Sequence, residues 1–289
     1  MSAPALSPAE PSAPPTPARR DGPPLPHEHG AWVILYAPAL IAIVAFGRAA
    51  LLPAVLLLVA ITGLFLARNA AGLILRRRAA PGPAKWLALY IAYALGATTP
   101  LLWRYGRWDL LKIGALAAIL FAAHALLSLL PSRKRMDRSQ WGEILAVAAL
   151  ALSAPAAYVA VGGGLDGIAW CLWAACTLYF AGGIFFIKML LAAARVKGRF
   201  GWRERWRIGG GHLAYHVLMI AALVAVSQVQ SGVAALLAVL AYLPALVRAL
   251  VGWARLSNAL PPLKKVGIGE TVYAVWFTAL FTASLFFAH

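Results

Sequence analysis

Two histidines and a glutamate, His27, Glu28 and His29, stand where a proline-rich polar tail gives way to apolar sequence. Imidazole and carboxylate groups at such a boundary can gate a ligand or exchange protons with it, so we treat all three as candidate catalytic residues. The motif alone is weak evidence, because neighbouring side chains of an extended segment point apart.

A second pair of histidines, His212 and His216, has the i, i+4 spacing that places both rings on one face of a helix. With His27 and His29 they offer nitrogen ligands for a metal or a haem. No carboxylate separates the pair as in the HExxH motif, so we assign no metal site and keep haem as an alternative. The two cysteines, Cys171 and Cys176, lack a metal-binding spacing and are interpreted as packing residues.

Three basic residues, Arg68, Lys188 and Arg248, fall within long apolar stretches. A charge at membrane depth costs at least ~2.5 kcal/mol, so each is expected to face the protein interior and to have a partner. Snorkelling to the interface is the simpler interpretation, above all for Arg248, and a converging cationic pocket is the alternative for Arg68 and Lys188. The acids Glu143 and Glu270 open later spans, where a helix dipole favours a carboxylate; the alternative is a shared cavity lined by Arg, Lys, His and Glu. The candidate ligand-binding residues are Arg68, Asn69, Glu143, Lys188, Arg195, His212 and His216.

The composition identifies a polytopic membrane protein. Hydrophobic residues make up 62% of the 289 residues, charged residues make up 12%, and the mean hydropathy is +0.78. Residues 1–25 are rich in Ala and Pro and are predicted to be disordered, whereas residues 26–289 form one all-α transmembrane domain. About nine segments are long enough to span a bilayer. They are residues 31–47, 51–75, 86–103, 110–130, 142–161, 167–194, 212–229, 232–252 and 270–288.

The net charge of +17 is distributed unevenly between the predicted loops. Most of the 26 basic residues lie on the side of the N-terminus, and the opposite loops hold only Arg48, Arg104, Arg107 and Lys112. The positive-inside rule therefore places the N-terminus in the cytoplasm and, with nine spans, the C-terminus outside. Topology and attraction to anionic lipid account for the basic excess, so we infer no nucleic-acid partner.

The densest run of basic residues extends from Arg195 to Arg207 and is interleaved with Phe200, Trp202 and Trp206. This composition is typical of an interfacial anchor, with phosphate binding as the alternative. The glycines at 209–211 are predicted to give a flexible start to the seventh span.

Three short motifs resemble the YwiC-like family, bacterial integral membrane proteins without an established activity. They are His29-Gly30-Ala31-Trp32 with Pro38, Phe65-Leu66-Ala67-Arg68-Asn69, and Trp141-Gly142-Glu143-Ile144-Leu145. The likeness extends over most of the chain after the tail. It implies the bacterial cytoplasmic (inner) membrane.

The layout of the spans is also similar to the UbiA superfamily of intramembrane prenyltransferases. That resemblance implies nine helices and two long cytoplasmic loops whose aspartate-rich motifs hold Mg²⁺ on a prenyl diphosphate. The corresponding stretches here, residues 68–85 and 188–207, contain no aspartate. Because Mg²⁺ requires carboxylate oxygens, a magnesium–diphosphate site of the UbiA type is not supported, and a bound anion would have to meet arginine directly.

The leading hypothesis is a membrane protein that binds an anionic amphiphile, a lipid or isoprenoid phosphate, in a cytoplasm-facing cavity. Arg68 and Lys188 would neutralise the head, and His27, Glu28 and His29 would gate it or exchange protons. A metal-independent, UbiA-like transferase reaction is an extension of this hypothesis. The alternatives are a membrane transporter and a haem- or metal-binding respiratory assembly factor. The ligand, the existence of a reaction and the oligomeric state stay open.

Overall fold

The computed structural model describes residues 22–26, 29–47, 50–75, 82–129, 138–197, 200–227 and 232–288. His27 and Glu28 lie outside the described residues, as does the side chain of His29, although the backbone of His29 opens the first helix. Most of the tail that the sequence predicts to be disordered, residues 1–21, also lies outside them.

The described ranges form ten helices and no strand, which confirms the all-α fold class. The helices are α1 (His29–Phe46), α2 (Leu51–Leu75), α3 (Gly82–Trp103), α4 (Asp109–Leu129), α5 (Gln140–Ala151), α6 (Ser153–Ala160), α7 (Gly167–Ala193), α8 (Trp202–Ser227), α9 (Val233–Ala254) and α10 (Leu263–Ala288). The break between α5 and α6 follows from Pro155, which has no N–H to donate to the carbonyl of Ala151, where α5 ends.

Eight helical segments of the described chain are long and apolar enough to cross a membrane, with α5 and α6 counted as one segment. The predicted span 31–47 corresponds to a shorter apolar helix, Gly30–Phe46, which comes in addition to these eight. The two largest differences from the predicted boundaries are that α8 begins at residue 202 rather than 212 and that α10 begins at residue 263 rather than 270. The predicted flexible start at 209–211 was also wrong: these glycines are helical, and Gly209 fits closely against the indole of Trp253.

The helices are arranged around α1 and the α5–α6 segment. α1 packs against α2, α5, α6, α7 and α10, and its residues Ala39, Ile41 and Ala42 are fully buried. α3 packs against α2, whereas α4 packs against α5 and α6. The linkers are short compared with the helices, so successive spans run antiparallel. α1, α3, α5, α8 and α10 therefore begin at one end of the bundle. We name it the basic end because the linker after α7 carries Arg195 and Lys197 there.

Aromatic side chains connect helices through polar contacts. Tyr242 on α9 donates to the Ala175 carbonyl on α7 at 2.9 Å, and Trp173 on α7 donates to the Ala148 carbonyl on α5 at 2.8 Å. Buried polar groups need such partners because hydrocarbon offers none. These bonds fix α7 relative to α5 and α9, the helices that carry the candidate site.

Candidate functional site

The first ion pair of the site joins α5 to α7 near the basic end. Lys188 Nζ lies 2.6 Å from Glu143 Oε1 and also donates to the Arg138 carbonyl at 2.7 Å. Ser139 caps α5, because its Oγ accepts a hydrogen bond from the Gly142 N–H at 3.1 Å. This cap starts the helix one turn before Glu143. The pair confirms that Lys188 has a partner and that Glu143 is more than a helix-terminal carboxylate.

A cleft of about 220 Å³ opens beside this ion pair between α5, α7 and α8. Its polar lining comes from Lys188, His212 and Gln140. The remaining lining residues are apolar or small: Phe185, Met189, Ala192, Ile208 and Gly211. A cleft that has a cation and two further polar side chains on one part of its lining and apolar side chains on the rest matches the two parts of an amphiphile.

His212 and His216 share one face of α8, as their spacing predicts, and both are buried, with 2% and 4% of their surface exposed. Their ring centroids are 4.4 Å apart. His216 Nδ1 lies 2.8 Å from the His212 carbonyl, which cannot donate, so Nδ1 is the donor and the neutral ring has its lone pair on Nε2. The remaining three ring nitrogens have no hydrogen-bond partner within the part of the chain that the structure describes.

A second ion pair, between Arg248 on α9 and Glu270 on α10, lies close to the histidines. The Arg248 guanidinium carbon lies 4.7 Å from the centre of the Phe186 ring and 5.7 Å from that of Tyr273. Only 9% of the Arg248 side chain is exposed, so the snorkelling interpretation of this residue was wrong: a carboxylate partner holds the charge inside the bundle.

Phe186 connects this second ion pair to the cleft. The centroid of its ring lies 5.9 Å from that of His212, and the same ring also contacts the Arg248 guanidinium. On the same helix, a Cβ added to Gly183 would lie 3.0 Å from Glu270 Oε2. The absence of a side chain at Gly183 therefore lets the Glu270 carboxylate approach α7.

Arg68 and Asn69 lie on α2, which contributes no residue to the lining of the cleft. The Arg68 guanidinium carbon lies 4.8 Å from the centre of the Phe121 ring on α4, and Asn69 Nδ2 donates to the Pro24 carbonyl at 2.7 Å. Neither residue is among those that line the cleft. The structure thus brings Lys188, Glu143 and His212 together but does not place Arg68 or Asn69 with them.

Residues 202–207 of the Arg- and Trp-rich run form the first turns of α8. Trp202 and Trp206 pack edge-on against Trp253 of α9, at ring-centroid distances of 5.2 and 4.8 Å. Arg205 Nε donates to the Leu256 carbonyl at 3.2 Å, which ties this part of α8 to the end of α9. Arg195 is exposed at the end of α7 and has no place in the cleft lining.

No cluster of three His, Cys, Asp or Glu side chains suited to metal binding occurs among the residues with described positions. Cys176 is buried and Cys171 exposed, and both are free thiols.

Several residues of the site carry no signal in the sequence. Phe186 and Met189 are ordinary components of the apolar helix α7, and only the rotation of that helix shows that Met189 lines the cleft while Phe186 packs beside His212. The pairing of Arg248 with Glu270 had a partial signal, because the two residues lie near the same end of successive antiparallel spans.

Among the comparisons with known proteins, one gives a match, and it lies in the N-terminal part of the chain. No curated protein and no solved structure matches the chain. A family model described as YwiC-like protein matches residues 25–158, which extend from just before α1 into α6. This range contains the motifs at 29–32, 65–69 and 141–145, but it is shorter than the likeness expected over most of the chain and omits α7 to α10. Residues 25–158, with Glu143 but without Lys188 or His212, are similar to the YwiC-like family.

Proposed function

We propose that this integral membrane protein binds an anionic amphiphile, a lipid or isoprenoid phosphate, in the cleft between α5, α7 and α8. The observation that carries the proposal is Lys188, whose ammonium group borders a cleft with apolar walls while paired to Glu143. Arg68, which lies against Phe121, is not required by this version of the hypothesis.

The Lys188–Glu143 pair suits reversible anion binding. Its side chains are 25% and 37% exposed, so the pair is only partly desolvated and its net contribution to stability is small. An incoming anionic head can replace Glu143 as the partner of Lys188, or share the ammonium group with it, because an ammonium has three donors. Glu143 then competes with the ligand for the same cation.

The size of the cleft limits what it can enclose. Sites for drug-sized ligands usually measure about 300–1,000 Å³, which exceeds the 220 Å³ found here. The cleft therefore suits a head group and the first carbons of a chain. The rest of the chain would lie outside it, along the apolar surface of the bundle.

Replacing Lys188 and Glu143 separately should change anion binding in opposite directions. Lys188→Gln is expected to weaken binding of an anionic amphiphile at least tenfold, because the cation is lost. Glu143→Gln is expected to strengthen binding about three- to tenfold, because the competing carboxylate is lost. Binding is measured with farnesyl monophosphate and detergent-solubilised protein by isothermal titration calorimetry.

The exposed pair Lys112–Asp109, at 2.8 Å in the first turn of α4, provides a matched control at the opposite end of the bundle. Lys112→Gln and Asp109→Asn should leave the affinity unchanged. If Lys188→Gln binds as tightly as the wild type, or if Glu143→Gln weakens binding, the proposal is wrong.

We also propose that the protein lies in a bacterial inner membrane with its basic end in the cytoplasm. The basis is the positive-inside rule applied to the basic linkers, together with the similarity of residues 25–158 to the YwiC-like family. In a variant without Cys171 and Cys176, a cysteine at Ser257 should be protected from an impermeant thiol reagent in intact cells. A cysteine at Gly164 should be labelled. Reversed labelling would refute this orientation.

A transporter is the second candidate, favoured by one observation, the Arg248–Glu270 pair buried within the spans. Uptake into reconstituted vesicles that is lost in Arg248 variants but retained in Lys188 variants would support it. A UbiA-like transferase reaction and haem binding at His212 and His216 have less support. Turnover of a prenyl phosphate, or a Soret band in the purified protein, would test these two hypotheses.

A further inference from the structure

We propose that the ligand of the cleft is an amphiphile with a single phosphate monoester, and that His212 is the second polar group that holds its head. This inference rests on the proposed function, because it names the ligand class and a further contact of the same cleft.

The first step is the state of His212. The side chain lines the cleft, is 98% buried, and has no hydrogen-bond partner for either ring nitrogen among the residues whose structure is described. The Ala249 carbonyl lies near the ring but outside hydrogen-bond geometry. A buried polar group without a partner costs about 1–3 kcal/mol. A ligand head in the cleft can remove that cost.

The second step is the contrast with His216, the neighbouring imidazole one turn further along α8. His216 Nδ1 donates to the His212 carbonyl, so this ring is oriented by the protein itself. The ring of His212 has no such bond, although Phe186 packs beside it at 5.9 Å. His212 is therefore the imidazole that is available to the ligand. His216 instead bonds to the backbone carbonyl of His212.

The third step is the charge of the cleft. Among the described residues, the ion pair beside the cleft brings one positive charge from Lys188 and one negative charge from Glu143, and the lining includes no further charged side chain. A diphosphate carries several negative charges and would face one ammonium group beside a carboxylate. A monoester, whose second pKa is about 6, can bind as a monoanion that retains one P–O–H group. The charge balance favours the single phosphate.

The fourth step is the pattern of donors and acceptors. A neutral imidazole has one N–H donor and one nitrogen acceptor, and a carboxylate is an acceptor only. The monoanion of a phosphate monoester has a hydroxyl donor and several acceptor oxygens, so it can accept from Lys188 and donate its hydroxyl to the bare acceptor nitrogen of His212. A phosphodiester has the same charge but no hydroxyl, so it cannot supply a donor to that ring nitrogen.

The test compares head groups on matched chains in detergent-solubilised protein by isothermal titration calorimetry. The probes are farnesyl monophosphate, farnesyl diphosphate and the methyl diester of farnesyl phosphate, with lysophosphatidate as a monoester on a glycerolipid. Wild-type protein is expected to bind farnesyl monophosphate at least tenfold more tightly than the diphosphate or the diester. Tight binding of lysophosphatidate would assign the natural ligand to glycerolipids, whereas its absence would assign it to isoprenoids.

Substitution then tests the part played by His212. His212→Gln is expected to reduce the preference for monoester over diester about tenfold and to keep binding dependent on Lys188. His124→Gln on α4 is the matched control and should keep the full preference. If His212→Gln is not obtained as folded protein, the head-group preference of the wild type decides the question.

The outcomes separate this inference from the proposed function. Lys188-dependent binding without a monoester preference, or with a preference that His212→Gln leaves intact, overturns the inference and keeps the amphiphile cleft. If no probe binds, or if binding ignores Lys188, both hypotheses are wrong.

Discussion

Replacing Glu270 with glutamine is expected to lower the free energy of unfolding by about 3 kcal/mol. The substitution leaves the Arg248 charge in place without its counter-ion, and Arg248 is only 9% exposed between Phe186 and Tyr273. Breaking a buried ion pair by removing one partner costs about 3–5 kcal/mol. The 28% exposure of Glu270 places this case at the lower end of that range. Unfolding by sodium dodecyl sulfate in mixed micelles measures the change.

Two comparisons decide whether the uncompensated charge is the cause. The double variant Arg248→Met, Glu270→Gln removes the charge and should recover most of the lost stability. Asp109→Asn breaks an ion pair whose Lys112 is 73% exposed, and it should cost less than about 1 kcal/mol. If the double variant is as unstable as Glu270→Gln, the interpretation of Arg248 as a buried charge that requires Glu270 is contradicted.

The spans were predictable because the bilayer imposes a length that hydropathy alone reveals. Residues 51–75 and 167–194 were placed within one residue of α2 and α7. The errors occurred at α8 and α10, where a basic or glycine-containing segment continues a helix beyond its apolar part. Lys264 and Lys265 lie within the first turn of α10, and arginine and lysine are both good helix formers. Hydropathy therefore marks the membrane-spanning part of a helix rather than its end.

The candidate site was predictable only in part. The rarity of charge at membrane depth identified Lys188 as a residue that needs a partner, and the partner proved to be Glu143. The same argument identified Arg68 as a charge that should face the protein interior, and the structure places its guanidinium against the Phe121 ring. No rule based on one helix could show that Lys188 and His212 line one cleft while Arg68 does not, because that depends on how each helix is rotated against its neighbours.

Close approach of α9 to α7 depends on Gly252, and adding one methyl group there should disturb the centre of the site. A Cβ at this position would lie 2.4 Å from Phe186 Cε2 and 3.3 Å from Cζ, so the aromatic ring would have to move. Overpacking of this kind costs about 1–3 kcal/mol. Gly252→Ala is therefore expected to lower stability by that amount in the same micellar unfolding assay.

Gly267 in α10 provides the control, because a Cβ added to it meets nothing within 4 Å. Gly267→Ala should be neutral or stabilise the protein by up to about 1 kcal/mol through helix propensity. Combined with Phe186→Leu, which removes the ring atoms nearest the added methyl group, Gly252→Ala should cost much less than it does alone. The Phe186 ring also packs against Arg248 and His212, so its position affects the centre of the site. If Gly252→Ala costs as much in the Phe186→Leu background, the contact between Gly252 and Phe186 does not govern the spacing of α7 and α9.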